Sequence, residues 1–260
     1  MPDPVVTFSK SGSVGAITLN RPPANSYEIG FMRDLDAAIE AANGDPDVKV
    51  VILKSASEKF FSAGADIKAF MANSKEANME LIRFAHRTLE KLAATSRIYI
   101  AAINAHALGG GLEMALACDL RFAAEGSYRL GLPEVTLGLL PGNGGTQRLP
   151  RLIGWNKALD LMIVGRRLSP AEASQMGILD RLFPRERLEE ETRKYAQTLA
   201  DGSYAAIGAI KLAVHRGREG VLDDGLRLER ELLDGLFRGP DGKEGVRAFV
   251  EKRKPEFNKA

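Results

Sequence analysis

Short β-rich runs alternate with helical patterns along the first part of the chain: Val5 to Phe8, Ala16 to Leu19, Val48 to Leu53, Tyr99 to Ile103 and Leu120 to Phe122. That alternation predicts an α/β architecture. The first helix is well marked: Ser26 is placed to cap it, Ile29, Met32, Leu35 and Ile39 share one face, and Asn43-Gly44 end it. A second helical pattern runs from about Asn78 to Ala94, with Ile82, His86, Leu89 and Leu92 near one side. After Pro184 the strand signals stop. Helices are expected around Leu188 to Leu199, Ala206 to Arg216, Leu222 to Leu236 and Lys243 to Lys252, with Gly239-Pro240-Asp241-Gly242 breaking the last two.

Composition removes whole classes of function. At 260 residues, 45% hydrophobic and 27% charged, the chain can bury a substantial core in one domain. Net charge is +2, from 36 basic and 34 acidic residues, so no global field holds nucleic acid or an anionic membrane. An anionic ligand must therefore meet a local basic site. The stripe Arg83, Arg87 and Lys91 is the one local basic candidate, and Glu90 interrupts it. The single cysteine, Cys118, lies in the apolar run Met114 to Cys118, which excludes a disulfide framework and predicts a buried, inert thiol. No apolar stretch reaches the ~18 residues of a spanning helix, and the N-terminus does not read as a signal peptide, so a cytoplasmic protein is expected.

Two glutamates 21 residues apart, Glu113 and Glu134, each sit beside a Gly or Pro segment: Gly109-Gly110-Gly111 before the first, Pro133 before the second, and Gly142 to Gly145 after it. Glycines at the start of a helix let backbone N–H groups face outward, and the helix N-terminus adds partial positive charge, so such amides can hold a developing oxyanion. A helical first turn places the Glu113 carboxylate on the same side as the Gly110 amide. The same residues also fit a purely structural reading, with Glu113 complementing the helix dipole and Glu134 on the surface. A second amide source is Phe61 to Lys68, where Ala63, Gly64 and Ala65 expose backbone, Asp66 can cap a short helix from Ile67, and Lys68 is free for an anion. An exposed loop with a solvated lysine is the commoner role of such a segment. Two carboxylates near one ligand cannot both ionise cheaply, which separates acid from base roles between them.

Competing motifs fail. Gly142-Asn143-Gly144-Gly145 lacks the third glycine of a dinucleotide fingerprint, and there is no Walker A sequence or Gly-x-Ser-x-Gly elbow. His86, His106 and His215 lack ligand spacing, so no metal is expected.

Taken together, Phe61 to Lys68, Ala107 to Glu113 with Cys118-Asp119, Leu132-Pro133-Glu134 and Pro141 to Leu149 resemble the crotonase family, and within it the enoyl-CoA hydratases; the likeness runs from about Val5 to Phe257. The resemblance implies a crotonase-like spiral of ββα units over residues 1–195 and a C-terminal all-helical trimerisation region over 196–260. It implies a homotrimer or dimer of trimers, an acyl-CoA thioester as substrate, and no cofactor beyond that substrate's own coenzyme A.

Residue by residue, Ala65 and Gly110 match the two amide donors to the thioester carbonyl. Ala63, Ala65, Asp66, Ile67 and Lys68 match the wall receiving the adenine and pantetheine portions, and Lys252 matches a lysine that approaches the coenzyme A phosphate of a neighbouring subunit. Glu113 and Glu134 match both hydratase glutamates, the first activating water for attack at C3 and the second delivering a proton to C2. Relatives that shift a double bond generally manage with one glutamate, so the pair favours hydratase over isomerase, and an RNA-binding relative is the remote alternative. Phe70, Met71 and Leu140 are the candidates for the acyl-tail wall, with core packing as the competing role. One segment departs from the family form. Asn20 to Tyr27 is one residue shorter than the commonest hydratase version, and Ser26-Tyr27 stands where a small-apolar pair is usual.

Overall fold

The computed structural model describes residues 3–258. Strands β1 (Val6–Ser11) and β2 (Val14–Leu19) form an antiparallel hairpin turned at Gly12, whose φ of 59° suits glycine. Helix α1 (Ile29–Gly44) buries Met32, Leu35 and Ile39 of the expected face, together with Phe31, while Ile29 is half-buried, and leads to β3 (Val50–Ser55). Its cap is Glu28 rather than the expected Ser26: the Glu28 carboxylate accepts from the Gly30 and Phe31 amides at 2.7 and 3.0 Å. The physical reason is a bridge between Tyr27 and Ala65, which keeps the chain extended past Ser26 and delays the helix.

Three successive turns of chain then repeat one plan. Strand β3 is followed by β4 (Phe60–Ser62) and helices α2 (Ile67–Ala72) and α3 (Lys75–Ala94). Strand β5 (Ile98–Ile103) is followed by β6 (His106–Leu108) and α4 (Gly110–Ala117). Strand β7 (Leu120–Ala124) is followed by β8 (Leu130–Gly131), a 3₁₀ turn (Glu134–Leu137), α5 (Gly145–Ile153) and α6 (Trp155–Ile163). The first strand of each turn joins a six-stranded sheet and the second joins a four-stranded one, which makes the structure a spiral of ββα units. Strand β9 (Arg167–Leu168) closes the small sheet, and β10 (Arg181–Phe183) follows α7 (Pro170–Gln175) to close the large one, in the orders β4-β6-β8-β9 and β1-β2-β3-β5-β7-β10.

All six residues of β5 are buried, as a parallel strand covered on both faces requires. Burying each of its three isoleucines contributes about 1.5–3 kcal/mol. Helix α8 (Leu188–Ala200) lies across β2, β3, β5 and β7, so the expected changeover at residue 195 falls inside a helix packed on the sheet.

Helix α3 begins three residues before the expected start, because Ser74 caps it through the Ala77 amide. Its core face is Leu81, Ala85, Thr88, Leu89 and Leu92, rotated from the expected one. Ile82 is half-buried and His86 is exposed. The basic stripe on this helix is spent on neighbours: Arg83 and Arg87 face Glu80, and Lys91 pairs with Asp36 and Glu40.

Helices α9 (Tyr204–Gly217), α10 (Leu222–Arg238) and α11 (Pro240–Val250) complete the described chain. The buried Lys211 anchors α9, donating to the Leu92 and Arg97 carbonyls at 2.5 and 2.6 Å and to Asp119 at 2.9 Å. Helices α10 and α11 leave Leu222, Phe237, Phe249 and Val250 exposed. Among the described residues no helix is long and apolar enough to cross a membrane. Cys118 is buried as expected, and burial pushes its thiol up to about 12.

Candidate active site

The site forms where the first turn of α4 meets the β4–α2 loop. Gly109 ends β6 with φ 53°, and its amide is pinned to the Gly131 carbonyl of β8 at 2.9 Å, so α4 starts at the edge of the small sheet. Gly110 is the first residue of that helix, and its amide has no acceptor within it. Close approach is possible because the facing residues lack side chains. A Cβ on Gly64, whose φ is 90°, would come within 3.1 Å of the Gly110 nitrogen and 2.8 Å of the Leu108 carbonyl oxygen.

On the other side of Gly64, the Tyr27–Ala65 bridge runs through the Tyr27 amide to the Gly64 carbonyl at 2.9 Å and the Asp66 amide to the Tyr27 carbonyl at 2.8 Å. Both bonds bypass the Ala65 amide. Among the described residues no acceptor is found for it, so the loop and the helix start present two neighbouring backbone donors.

Glu113, in the first turn of α4, is 1% exposed. Its Oε1 accepts from the Asn143 and Gly145 amides at 2.8 and 2.7 Å. Burial pushes its carboxyl up to about 7, against the pull of those two amides, and the neighbouring Glu134 charge pushes the same way. Glu134 opens the 3₁₀ turn after Pro133. A Cβ on Gly109 would lie 2.9 Å from Glu134 Oε1, so this carboxylate rests against the backbone at the start of α4. Its Oε2 is buried with no partner among the described residues, and burial raises its pKa too. The fold thus brings both glutamates to one helix N-terminus, each held toward the protonated form and one with an unused oxygen. Such a pair can hold a water molecule and pass protons on either side of a bond polarised by the two amides.

Of the remaining residues singled out from sequence, Asp66 caps α2 through the Lys68 and Ala69 amides and pairs with Arg21 at 3.1 Å. The Ala69 amide, and then Arg21, hold its carboxyl below the ordinary value. Ala63 lies beside these groups, while Ile67 and Lys68 are exposed along α2. Phe70 packs on the core. Met71 and Leu140 are 83% and 66% exposed. Lys252 follows α11, whose main contacts are α9 and α10, and it is exposed.

Four residues were not assigned to the site from sequence. Asn143 supplies one of the amides that hold Glu113, and its side chain donates to the Tyr27 hydroxyl at 2.5 Å. Arg148 donates to the Asn143 carbonyl at 2.8 Å, and His86 Nε2 donates to the Gly142 carbonyl at 2.6 Å, so α5 and α3 grip the 142–145 loop from two sides. The available signals were the polar Asn143 inside a glycine run and the polar His86 on the helix face next to the core. A separate cavity of about 400 Å³, lined by Lys54, Glu58, Asn104, Arg185 and Thr192, lies under α8 and shares no residue with this site.

Comparison with known proteins identifies the family. A family model described as enoyl-CoA hydratase/isomerase matches residues 9–260. A "Probable enoyl-CoA hydratase" of Rhizobium meliloti (strain 1021) is 43% identical over 254 residues, covering 95% of each chain. A "Probable enoyl-CoA hydratase echA8" of Mycobacterium tuberculosis is 43% identical over 253 residues, covering 97% of each. Among solved structures, an enoyl-CoA hydratase from Bacillus anthracis superposes with a TM-score of 0.93 at 38% identity, over 97% of this chain and 98% of the other. "Crystal structure of Enoyl-CoA hydrates from Geobacillus Kaustophilus HTA426" superposes with a TM-score of 0.97 at 44% identity, over 99% and 98%. With its spiral of ββα units and a family match across nearly its whole length, the chain belongs to the enoyl-CoA hydratase/isomerase family.

Proposed function

We propose that this protein catalyses the reversible addition of water across the C2–C3 double bond of a 2-trans-enoyl-CoA, giving the 3-hydroxyacyl-CoA. The observation that carries this reading is the convergence of Glu113 and Glu134 on the start of α4, beside the Gly110 and Ala65 amides. The thioester carbonyl oxygen sits between those amides, which draw electron density away from C3. Ionised Glu113 takes a proton from water as the water oxygen bonds to C3. The electron pair of the double bond moves to C2 and the carbonyl oxygen, where each amide contributes about 3 kcal/mol of stabilisation. Protonated Glu134 then delivers its proton to C2. In the reverse direction each carboxyl exchanges its role.

Ala63 to Lys68 line the coenzyme A portion, with Lys68 supplying positive charge and Lys252 of a neighbouring subunit reaching the phosphate. Phe70, Met71 and Leu140 form the acyl wall, the last two awaiting cover. The apolar residues left exposed on α10 and α11 fit self-association as a trimer or a dimer of trimers.

The test uses crotonyl-CoA. The conjugated thioester absorbance should fall as 3-hydroxybutyryl-CoA appears, and kcat/KM should drop below about pH 7, where Glu113 takes up a proton and can no longer act as base. A protein that shifts 3-enoyl-CoA to 2-enoyl-CoA and leaves crotonyl-CoA intact is an isomerase instead. A rate that is flat from pH 5 to pH 9 removes Glu113 from the base role.

A further inference from the structure

We propose that Tyr27 is a positioning residue that holds the two amide segments and the Glu113 loop in register, a role that rests on the hydration reading above. Three independent contacts converge on this one side chain and its backbone. Its peptide groups anchor the chain on both sides of Ala65, through Gly64 and Asp66, and leave the Ala65 amide free. Its ring covers Gly110 so closely that a Cβ there would overlap the ring edge and the hydroxyl, with Cζ 2.8 Å away. Its hydroxyl accepts from Asn143 Nδ2 at 2.5 Å, and the Asn143 backbone N–H in turn donates to Glu113 at 2.8 Å. Tyr27 therefore touches the first amide donor, the second amide donor and the residue that holds the water-activating carboxylate.

The contacts also say what Tyr27 does not do. It is 3% exposed, and burial together with the Glu113 and Glu134 charges raises its pKa far above neutrality. The phenol keeps its proton at working pH, so it acts by placement. Asn143 Oδ1 is buried without a partner among the described residues, so the Tyr27 hydroxyl alone orients that side-chain amide. Exchanging the nitrogen and oxygen of the amide would reverse the donor and keep the link. This position is also where the sequence departs from the commonest hydratase form.

Tyr27→Phe keeps the backbone bridge and the ring over Gly110 and removes only the oxygen. For crotonyl-CoA hydration, kcat should fall about tenfold, as expected for one lost hydrogen bond at a positioned group, with KM within about threefold. Asn143→Ala should reproduce this loss. The double variant should be no slower than the slower single variant, because both break the same link. Wild-type kcat in Tyr27→Phe, or a double variant whose losses multiply, overturns the proposal.

A second measurement does not depend on the reaction. Hydrogen exchange over residues 142–148 should quicken about tenfold in Tyr27→Phe, because the Asn143 and Gly145 amides bonded to Glu113 lose their support. Unchanged exchange overturns the proposal whatever the activity. If the wild-type protein leaves crotonyl-CoA unhydrated, the hydration reading alone fails and exchange decides the role of Tyr27.

Discussion

Replacing Glu134 with Gln is expected to lower crotonyl-CoA turnover by about 100- to 10,000-fold while leaving substrate binding within a few-fold. Gln fills the same volume against Gly109 and offers an oxygen at the same place, so the loss isolates the transferable proton. Glu113→Gln should be as damaging to turnover, but its effect on stability has a distinct signature. In the folded protein the Glu113 carboxyl is raised from about 4.5 to about 7 by burial, so the folded state binds its proton more tightly than the unfolded chain does. A group raised in this way contributes stability that is fully present below about pH 4.5 and is lost as pH rises through about 7. Above that, ionising Glu113 costs the wild type on the order of 3 kcal/mol. The Gln variant escapes this cost and can still accept from Asn143 and Gly145 through its amide oxygen. It should therefore resist denaturant better than wild type by about 3 kcal/mol at pH 8 and by under about 1 kcal/mol at pH 5. An equal offset at both pH values would show that Glu113 is not held protonated by its surroundings. Turnover separates the two readings further: activity retained by either Gln variant would remove that residue from proton transfer.

The same residues show why the site was partly legible in the sequence. Glu113 stands out because three glycines before it are costly inside a helix unless backbone must approach something, and the structure supplies that something in Ser62, Gly64 and Tyr27. The large-sheet strands were readable because β3 and β5 bury nearly every residue and show as continuous apolar runs. The small sheet was not, since β4, β6, β8 and β9 are two or three residues long and carry no period to detect. Those strands nevertheless set the edge from which α4 starts. Ser26 looked like a cap because local propensity favours serine, and a bridge to Ala65 overrode it. His86 seemed to belong on the core face because its spacing fits, yet it turns outward to hold Gly142. Tyr27 reaches Asn143 across 116 residues of sequence, a pairing that no local pattern encodes.

Gly111→Ala should cost both stability and activity, against the usual preference of helices for alanine. In an open helix the substitution gains about 1 kcal/mol. Here the new Cβ would overlap the Ser62 carbonyl oxygen and lie 2.8 Å from the Ser62 carbonyl carbon and Cβ. Ser62 has little room to yield. It is buried, its hydroxyl donates to the Asn25 carbonyl at 2.7 Å and accepts from the Gly64 amide at 3.1 Å, and its strand pairs with β6. Overpacking of this kind costs about 1–3 kcal/mol and sometimes more, so it outweighs the propensity gain. Relief can come only by moving α4 away from β4, which separates the Gly110 amide from the Ala65 amide. A misplacement of about 1 Å is enough to cost about 100-fold in rate. Gly44→Ala, where an added Cβ meets nothing within 4 Å, is the matched control and should be neutral or stabilising by up to about 1 kcal/mol. Denaturant titration and crotonyl-CoA turnover on the two variants decide the matter. Wild-type values for Gly111→Ala would mean that α4 and β4 can part without cost, and that the two amides are not held in register by their packing.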